Sequence, residues 1–231
     1  MAQDRASITK IDIIARHLMR KVLRCFGKVS VRERENSFVI HSIKHISSLS
    51  PQKTLHVMDI GSSSSLLPWR LSRLGYKVFA IDMRPYPFHH RNLSFLMADI
   101  TSPEFWRDKP PIDIISCVST LEHIGVGHYG DTMVESGDQK VVATFYRILK
   151  PGGSLFLTVP FSGLFSQDDF QRIYNPETFF KLFSAGWRLR EERYYIPKAP
   201  RNWVLATQAE ALRPYEVYPD SNNACFWFEK I

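Results

Sequence analysis

The hydrophobic pattern changes period near residue 54. Before it, Ile11, Ile14, Leu18 and Val22 recur at helical spacing, with Arg16, Arg20, Lys21 and Arg24 on the rest of the turn, and Val31 to Ser48 continues as a second helical segment. "LSPQKT", Leu49 to Thr54, interrupts the pattern. Beyond it, short apolar runs ending in Gly or Asp alternate with amphipathic segments: "TLHVMDIG", "LLPWRLSRLG", "YKVFAID", "NLSFLMAD", "SPEFW" and "IDIISCVS". The last run is apolar on both faces, which predicts a strand buried in a parallel sheet.

Asp138 is placed to cap a helix carrying Val141, Val142, Phe145, Ile148 and Leu149, which "KPGG" stops before a fifth strand, "SLFLTVP". Asn175 and Pro176 open the helix "PETFFKLFSAG", and "WRLREERYY" and "ACFWFEKI" read as two final strands. The expected fold class is α/β, a doubly wound, mostly parallel, seven-stranded Rossmann-like sheet ending in an antiparallel pair. Two units are expected: a basic helical extension over residues 1–50 and the α/β domain over 51–231. Residues 196–223, with four prolines, read as a long, partly ordered excursion and a place for a substrate lid.

Charge sharpens this division. Residues 1–50 hold ten Lys/Arg against four Asp/Glu, so they supply +6 of the +7 total and the remaining chain is nearly neutral. An electrostatic partner is thereby confined to the N-terminal segment. The segment around residues 7–28 is consistent with a helix packed on the domain, a peripheral membrane contact or an organellar presequence; Asp4 and Asp12 count against the last. Three widely spaced cysteines, Cys25, Cys117 and Cys225, fit neither a disulfide framework nor a zinc cluster and point to a cytoplasmic, reducing setting. His89 and His90 are adjacent and point apart, so no metal is expected.

In open α/β sheets ligands bind beyond the carboxyl ends of the strands where strand order reverses, which directs attention to "DIGSSSS", "AID" and "SCVSTLEH". Gly61 lets the backbone approach a ligand, Asp82 ends the second strand where it can accept the hydroxyls of a ribose, and Asp99 ends the third. A dinucleotide dehydrogenase shares the glycine turn and the acid, but "GSSSSL" lacks the second and third glycines of that fingerprint.

The runs "VMDIG", "VFAID", "FLMADI", "IDIISCVSTLEHIG" and "ILKPGGSLFLTVP", in that order over about Lys53 to Trp187, resemble the class I S-adenosylmethionine-dependent methyltransferases. The resemblance implies S-adenosylmethionine as cofactor. Asp59 and Gly61 would flank its methionine part, Asp82 would hold the ribose, Met83 would pack on the adenine and Asp99 would take the amino group. Ile100 follows Asp99 in the third motif, and Ser119 would lie near the methyl donor. The departure is "GSSSS" in place of further glycines, where a hydroxyl such as that of Ser63 replaces a backbone contact.

Methyl transfer to a hydroxyl needs a base near the end of the fourth strand. His123 is the candidate, with Glu122 beside it. His128, Tyr129 and Asp131 read as walls of an acceptor site. The run "EHIGVGHYGD" resembles a poorly characterised branch of the same superfamily, which also carries an R-I-Y stretch matched here by Arg172, Ile173 and Tyr174. That likeness implies a small-molecule or glycan acceptor, with Arg172 clamping it or pairing with Asp168 or Asp169. Two other readings stay open at this level: an inactive regulatory module, and an RNA methyltransferase recruited by the basic segment.

Overall fold

Capping chemistry written into the sequence starts the helices. In the computed structural model, which describes residues 9–130, 132–213 and 221–231, Thr9 and Asp12 close a reciprocal capping box on α1 (Lys10–Cys25), and Ser30 and Glu33 close one on α2 (Val31–Leu49). The chain then enters the alternation: β1 (His56–Ile60), α3 (Leu67–Arg73), β2 (Lys77–Asp82), β3 (Leu93–Met97), α4 (Pro103–Trp106), β4 (Ile112–Val118), α5 (Gly137–Ile148) and β5 (Leu149–Phe161). A two-stranded ribbon, β6 (Ser166–Gln167) and β7 (Arg172–Ile173), precedes α6 (Pro176–Phe180), β8 (Trp187–Ala199), β9 (Asn202–Ala206), α7 (Gln208–Ala211) and β10 (Asn222–Lys230).

The main sheet has the order β3-β2-β1-β4-β5-β10-β8-β9. β3 to β5 are parallel, and β10, β8 and β9 continue the sheet antiparallel. Strand order reverses between β1 and β4, so a crevice is created beyond their carboxyl ends. One face of the sheet is covered by Val141, Val142 and Phe145 of α5 and Phe179 of α6. The other is covered by Phe38, Val39 and Ile43 of α2 and Leu67 and Leu71 of α3. At about 1.5–3 kcal/mol for each large apolar side chain buried, both helical layers contribute to holding the sheet.

The two N-terminal helices differ. α2 places seven side chains in buried positions, whereas α1 buries Ile13 alone.

Three details depart from the sequence expectation. The main sheet has eight strands rather than seven, because the Pro-rich stretch after residue 196 continues β8 and returns as β9. Pro197 and Pro200 mask that hairpin in the sequence, and a bulge between Pro197 and Ala199 accommodates the interruption. Residues 214–220 of the expected excursion lie outside the described residues. Asp138 is inside α5 rather than capping it; Ser136 precedes the helix and the Asp138 carboxylate accepts from the Tyr174 hydroxyl at 2.8 Å. α6 stops at Phe180, well short of Gly186.

Candidate active site

β1 carries Asp59 next to Ile60 and Gly61 of the crevice wall, where it is buried. Ser116 Oγ, on the adjacent strand in register, donates to Asp59 Oδ1 at 2.6 Å, and Ser62 Oγ lies 3.1 Å from Oδ2. Burial pushes the Asp59 carboxyl up to about 7 against the pull of those two hydroxyls. The chain turns at Gly61 with φ +81°, and a Cβ there would collide with the Thr120 side chain.

The serines after this glycine tie the loop down. Ser62 Oγ accepts from the Ile81 amide at 3.0 Å, and Ser65 Oγ accepts from the Leu67 amide at 3.1 Å. Ser63 is buried; its amide donates to Asp82 Oδ2 at 2.8 Å, while its hydroxyl oxygen has no hydrogen-bond partner. Ser64, not Ser63, reaches the crevice wall.

The crevice is a cavity of about 580 Å³, within the ~300–1,000 Å³ usual for small-molecule sites. Gly61, Asp82, Met83, Asp99, Ile100 and Ser119 all line it, so the structure brings these candidates together; Asp59 does not reach the lining, its carboxylate being held by Ser62 and Ser116. Asp82 Oδ1 accepts from the Arg84 amide at 2.9 Å and Arg84 Nε at 3.2 Å. Asp99 Oδ1 accepts from the amide and hydroxyl of Thr101 at 2.8 and 2.7 Å. These bonds hold both carboxylates at the wall.

Ser119 leaves β4 with φ +44°, and a non-glycine residue persists there only when its surroundings impose it. Its amide donates to the Thr158 carbonyl at 3.0 Å and its hydroxyl donates to Glu35 Oε1. Glu35, from α2, is fully buried and also accepts from Thr158 Oγ1 at 2.8 Å and Asn223 Nδ2 at 3.0 Å. Arg32, one turn earlier, lies 3.5 Å from Glu35 Oε2, donates to the Val118 carbonyl at 3.1 Å and lines the cavity. Sequence reasoning missed both residues, although an acid three residues before Phe38 and four before Val39, on the apolar face of α2, was a usable signal.

The turn Leu121–His123 closes the end of β4. Glu122 lines the cavity, is 1% exposed, and its Oε2 has no hydrogen-bond partner; burial pushes its carboxyl up to about 8. His123 Nδ1 lies 2.7 Å from the Phe170 carbonyl, and its Nε2 lies 3.8 Å from Glu122 Oε1. A carbonyl only accepts, so Nδ1 carries a proton and the neutral ring keeps its lone pair on Nε2.

Tyr129 lines the cavity with the Arg84 guanidinium 4.7 Å above its ring, and desolvation raises its hydroxyl. His128 packs against the Phe170 ring outside the cavity lining. Arg172 and Tyr174 are not at the cavity either. Arg172 is buried and spends its donors on the Ile124 carbonyl, at 2.8 Å, and Gln167 Oε1, at 3.1 Å, while Tyr174 is bonded to Asp138. They brace the loop instead of facing an acceptor. Asp131 lies outside the described residues. Trp203 of β9 and Asn222 and Asn223 of β10 complete the wall and were not anticipated.

Comparison with known proteins agrees with this geometry. Residues 79–188 match a family described as a Caenorhabditis protein of unknown function, DUF268. A curated ubiquinone biosynthesis O-methyltransferase of Pelagibacter ubique is 32% identical over 111 residues, which is 45% of this chain and 45% of that protein. The chain thus spans less than half the length of that relative. Among solved structures, the 1,6-didemethyltoxoflavin-N1-methyltransferase of Burkholderia thailandensis, with S-adenosylhomocysteine bound, matches with a TM-score of 0.58 and 12% identity over 100% of this chain and 92% of its own. The magnesium protoporphyrin IX methyltransferase of Synechocystis PCC 6803, with S-adenosylmethionine bound, gives 0.53 and 12% identity over 89% and 86%. With its strand order, its crevice between β1 and β4 and these matches, the chain has the class I S-adenosylmethionine-dependent methyltransferase fold.

Proposed function

We propose that the protein transfers a methyl group from S-adenosylmethionine to the oxygen of a small-molecule or glycan acceptor. The observation that carries this reading is the convergence on one cavity of Asp82 and Asp99, at the ends of β2 and β3, with the Glu122–His123 turn at the end of β4. The donor set fits the cofactor: carboxylates accept ribose hydroxyls and an amino group, and the unpartnered Glu122 Oε2 suits a cationic ligand.

S-adenosylmethionine brings a methyl group already activated on a sulfonium. The chain then has to bind, align and deprotonate. Asp82 and Asp99 take the hydroxyl and amino groups of the nucleoside; Gly61 and Ser119 border the methionine part. His123 Nε2 accepts the acceptor's proton, and the Glu122 carboxyl, 3.8 Å away, stabilises the imidazolium once that carboxyl is ionised, above its raised value of about 8. Oxygen as the methylated atom is supported by this base and by the name of the Pelagibacter relative. The α/β domain, residues 51–231, carries these groups, and the extension, residues 1–50, contributes Arg32 and Glu35.

Calorimetric titration tests the reading. Wild type is expected to bind S-adenosylmethionine, and Asp82→Ala to lose about tenfold or more in affinity, equivalent to about 1.4 kcal/mol. Absence of binding, or an Asp82→Ala variant that titrates like wild type, would overturn it.

A further inference from the structure

α1 is oriented against the usual logic of an amphipathic helix. Its one buried residue, Ile13, belongs to the basic side, where His17, Arg20 and Arg24 face Arg34 and Arg70 across a groove of about 750 Å³. Desolvation in that groove lowers the pKa of Arg20 and Arg70, which stay charged. The apolar side faces outward: Ile11 is 77% exposed and Phe26 76%, with Ile14, Leu18, Met19 and Val22 exposed between them on one helical face. Exposed Lys10 and Lys21 border this stripe on one side, and Asp12 and Arg16 on the other.

We propose that the outward face of α1 docks on an anionic lipid bilayer. A stripe of large apolar side chains bordered by cations is the pattern of a helix lying in the plane of a membrane interface, where the side chains enter the acyl boundary and the cations meet phosphate headgroups. No helix among the described residues is long and apolar enough to cross a membrane, so α1 lies on the surface. Charge selects the occupant. Two copies joined stripe to stripe in antiparallel fashion would oppose the Lys10 and Lys21 border to its own kind, with the cations of the groove behind it, whereas an anionic surface complements that border. This docking is independent of the methyl-transfer reading.

The test is co-sedimentation of the full chain with phosphatidylcholine vesicles, with and without phosphatidylglycerol. Binding is expected only with phosphatidylglycerol and is expected to weaken with salt. The doubly substituted Leu18→Glu, Val22→Glu chain is expected to lose about tenfold or more in partitioning, since two apolar side chains leave the acyl boundary and two carboxylates face the anionic headgroups. Both positions are exposed, so thermal unfolding of that variant is expected to match wild type. Binding that ignores phosphatidylglycerol, binding unchanged by the double substitution, or no binding at all overturns the proposal. A dimer in sedimentation velocity that the double substitution dissolves would assign the stripe to a second copy instead, and would equally overturn it.

Discussion

The hydroxyl of Ser119 donates to the carboxylate of Glu35, 84 residues earlier in the chain, and this bond joins helix α2 to the strand end where the crevice opens. The same Glu35 oxygen accepts from Thr158 and Asn223, so one buried acid holds β4, β5 and β10 in register around the site. Glu35→Ala strands three donors in the interior and is expected to lower stability by about 3 kcal/mol or more. Glu35→Gln keeps the accepting oxygen but turns an amide toward Arg32; it is expected to fold while binding S-adenosylmethionine more weakly. Thermal unfolding and calorimetry separate the two, and an alanine variant that melts with wild type would remove Glu35 from this role.

Gly61 and Thr120 form a second such pairing. The space a side chain would need at Gly61 is taken by Thr120, and the backbone there has φ +81°. Gly61→Ala is expected to displace the β1 loop and cut cofactor affinity by about tenfold or more, combining steric overlap with about 1 kcal/mol or more of backbone strain. Adding Thr120→Ala should recover only part of it, because the strain persists. Full recovery would show that contact with Thr120 alone was responsible.

Much of this site is readable in the chain before folding, and the exceptions have physical causes. Asp59, Asp82 and Asp99 stand out because an acid ending an apolar run is costly unless the strand terminates at a polar crevice. Glu35 does not stand out, since its partners are brought to it by a sheet that assembles 80 and more residues later. Arg172 resembles an anion clamp in sequence, but a guanidinium forced into the interior must satisfy its donors locally, and it does so on Ile124 and Gln167. Trp203 reaches the cavity on β9, a strand masked by neighbouring prolines. Helix α1 shows the limit most plainly: its periodicity marks two faces without saying which one the protein keeps.

His123 is held by Phe170 at Nδ1, so the base role proposed for it rests on Nε2. His123→Ala is expected to lower kcat by about 100-fold or more, the usual worth of a positioned base, with a much smaller change in cofactor affinity. His123→Gln retains a polar contact but no titratable nitrogen and should remain slow. Single-turnover rates set against calorimetric affinities make the comparison; a glutamine variant as fast as wild type would leave His123 a positioning residue.

Glu122 supplies the pH dependence. Burial lifts its carboxyl from the ordinary 4.5 to about 8, so the folded protein keeps the proton over a range in which the unfolded chain has lost it. The native state therefore binds more protons between those values. Stability due to Glu122 falls as pH rises from 4.5 toward 8 and is level above it, with Asp59 adding to the slope up to about 7. Glu122→Gln is expected to flatten this slope in denaturant titrations run across pH 5 to 9. A cationic ligand in the cavity favours the ionised carboxyl, so S-adenosylmethionine affinity is expected to rise as pH approaches about 8, with proton release on binding below that value. S-adenosylhomocysteine, which lacks the sulfonium charge, should show a shallower dependence. If Glu122→Gln kept the full pH dependence of wild type in both measurements, the carboxyl would not be the titrating group.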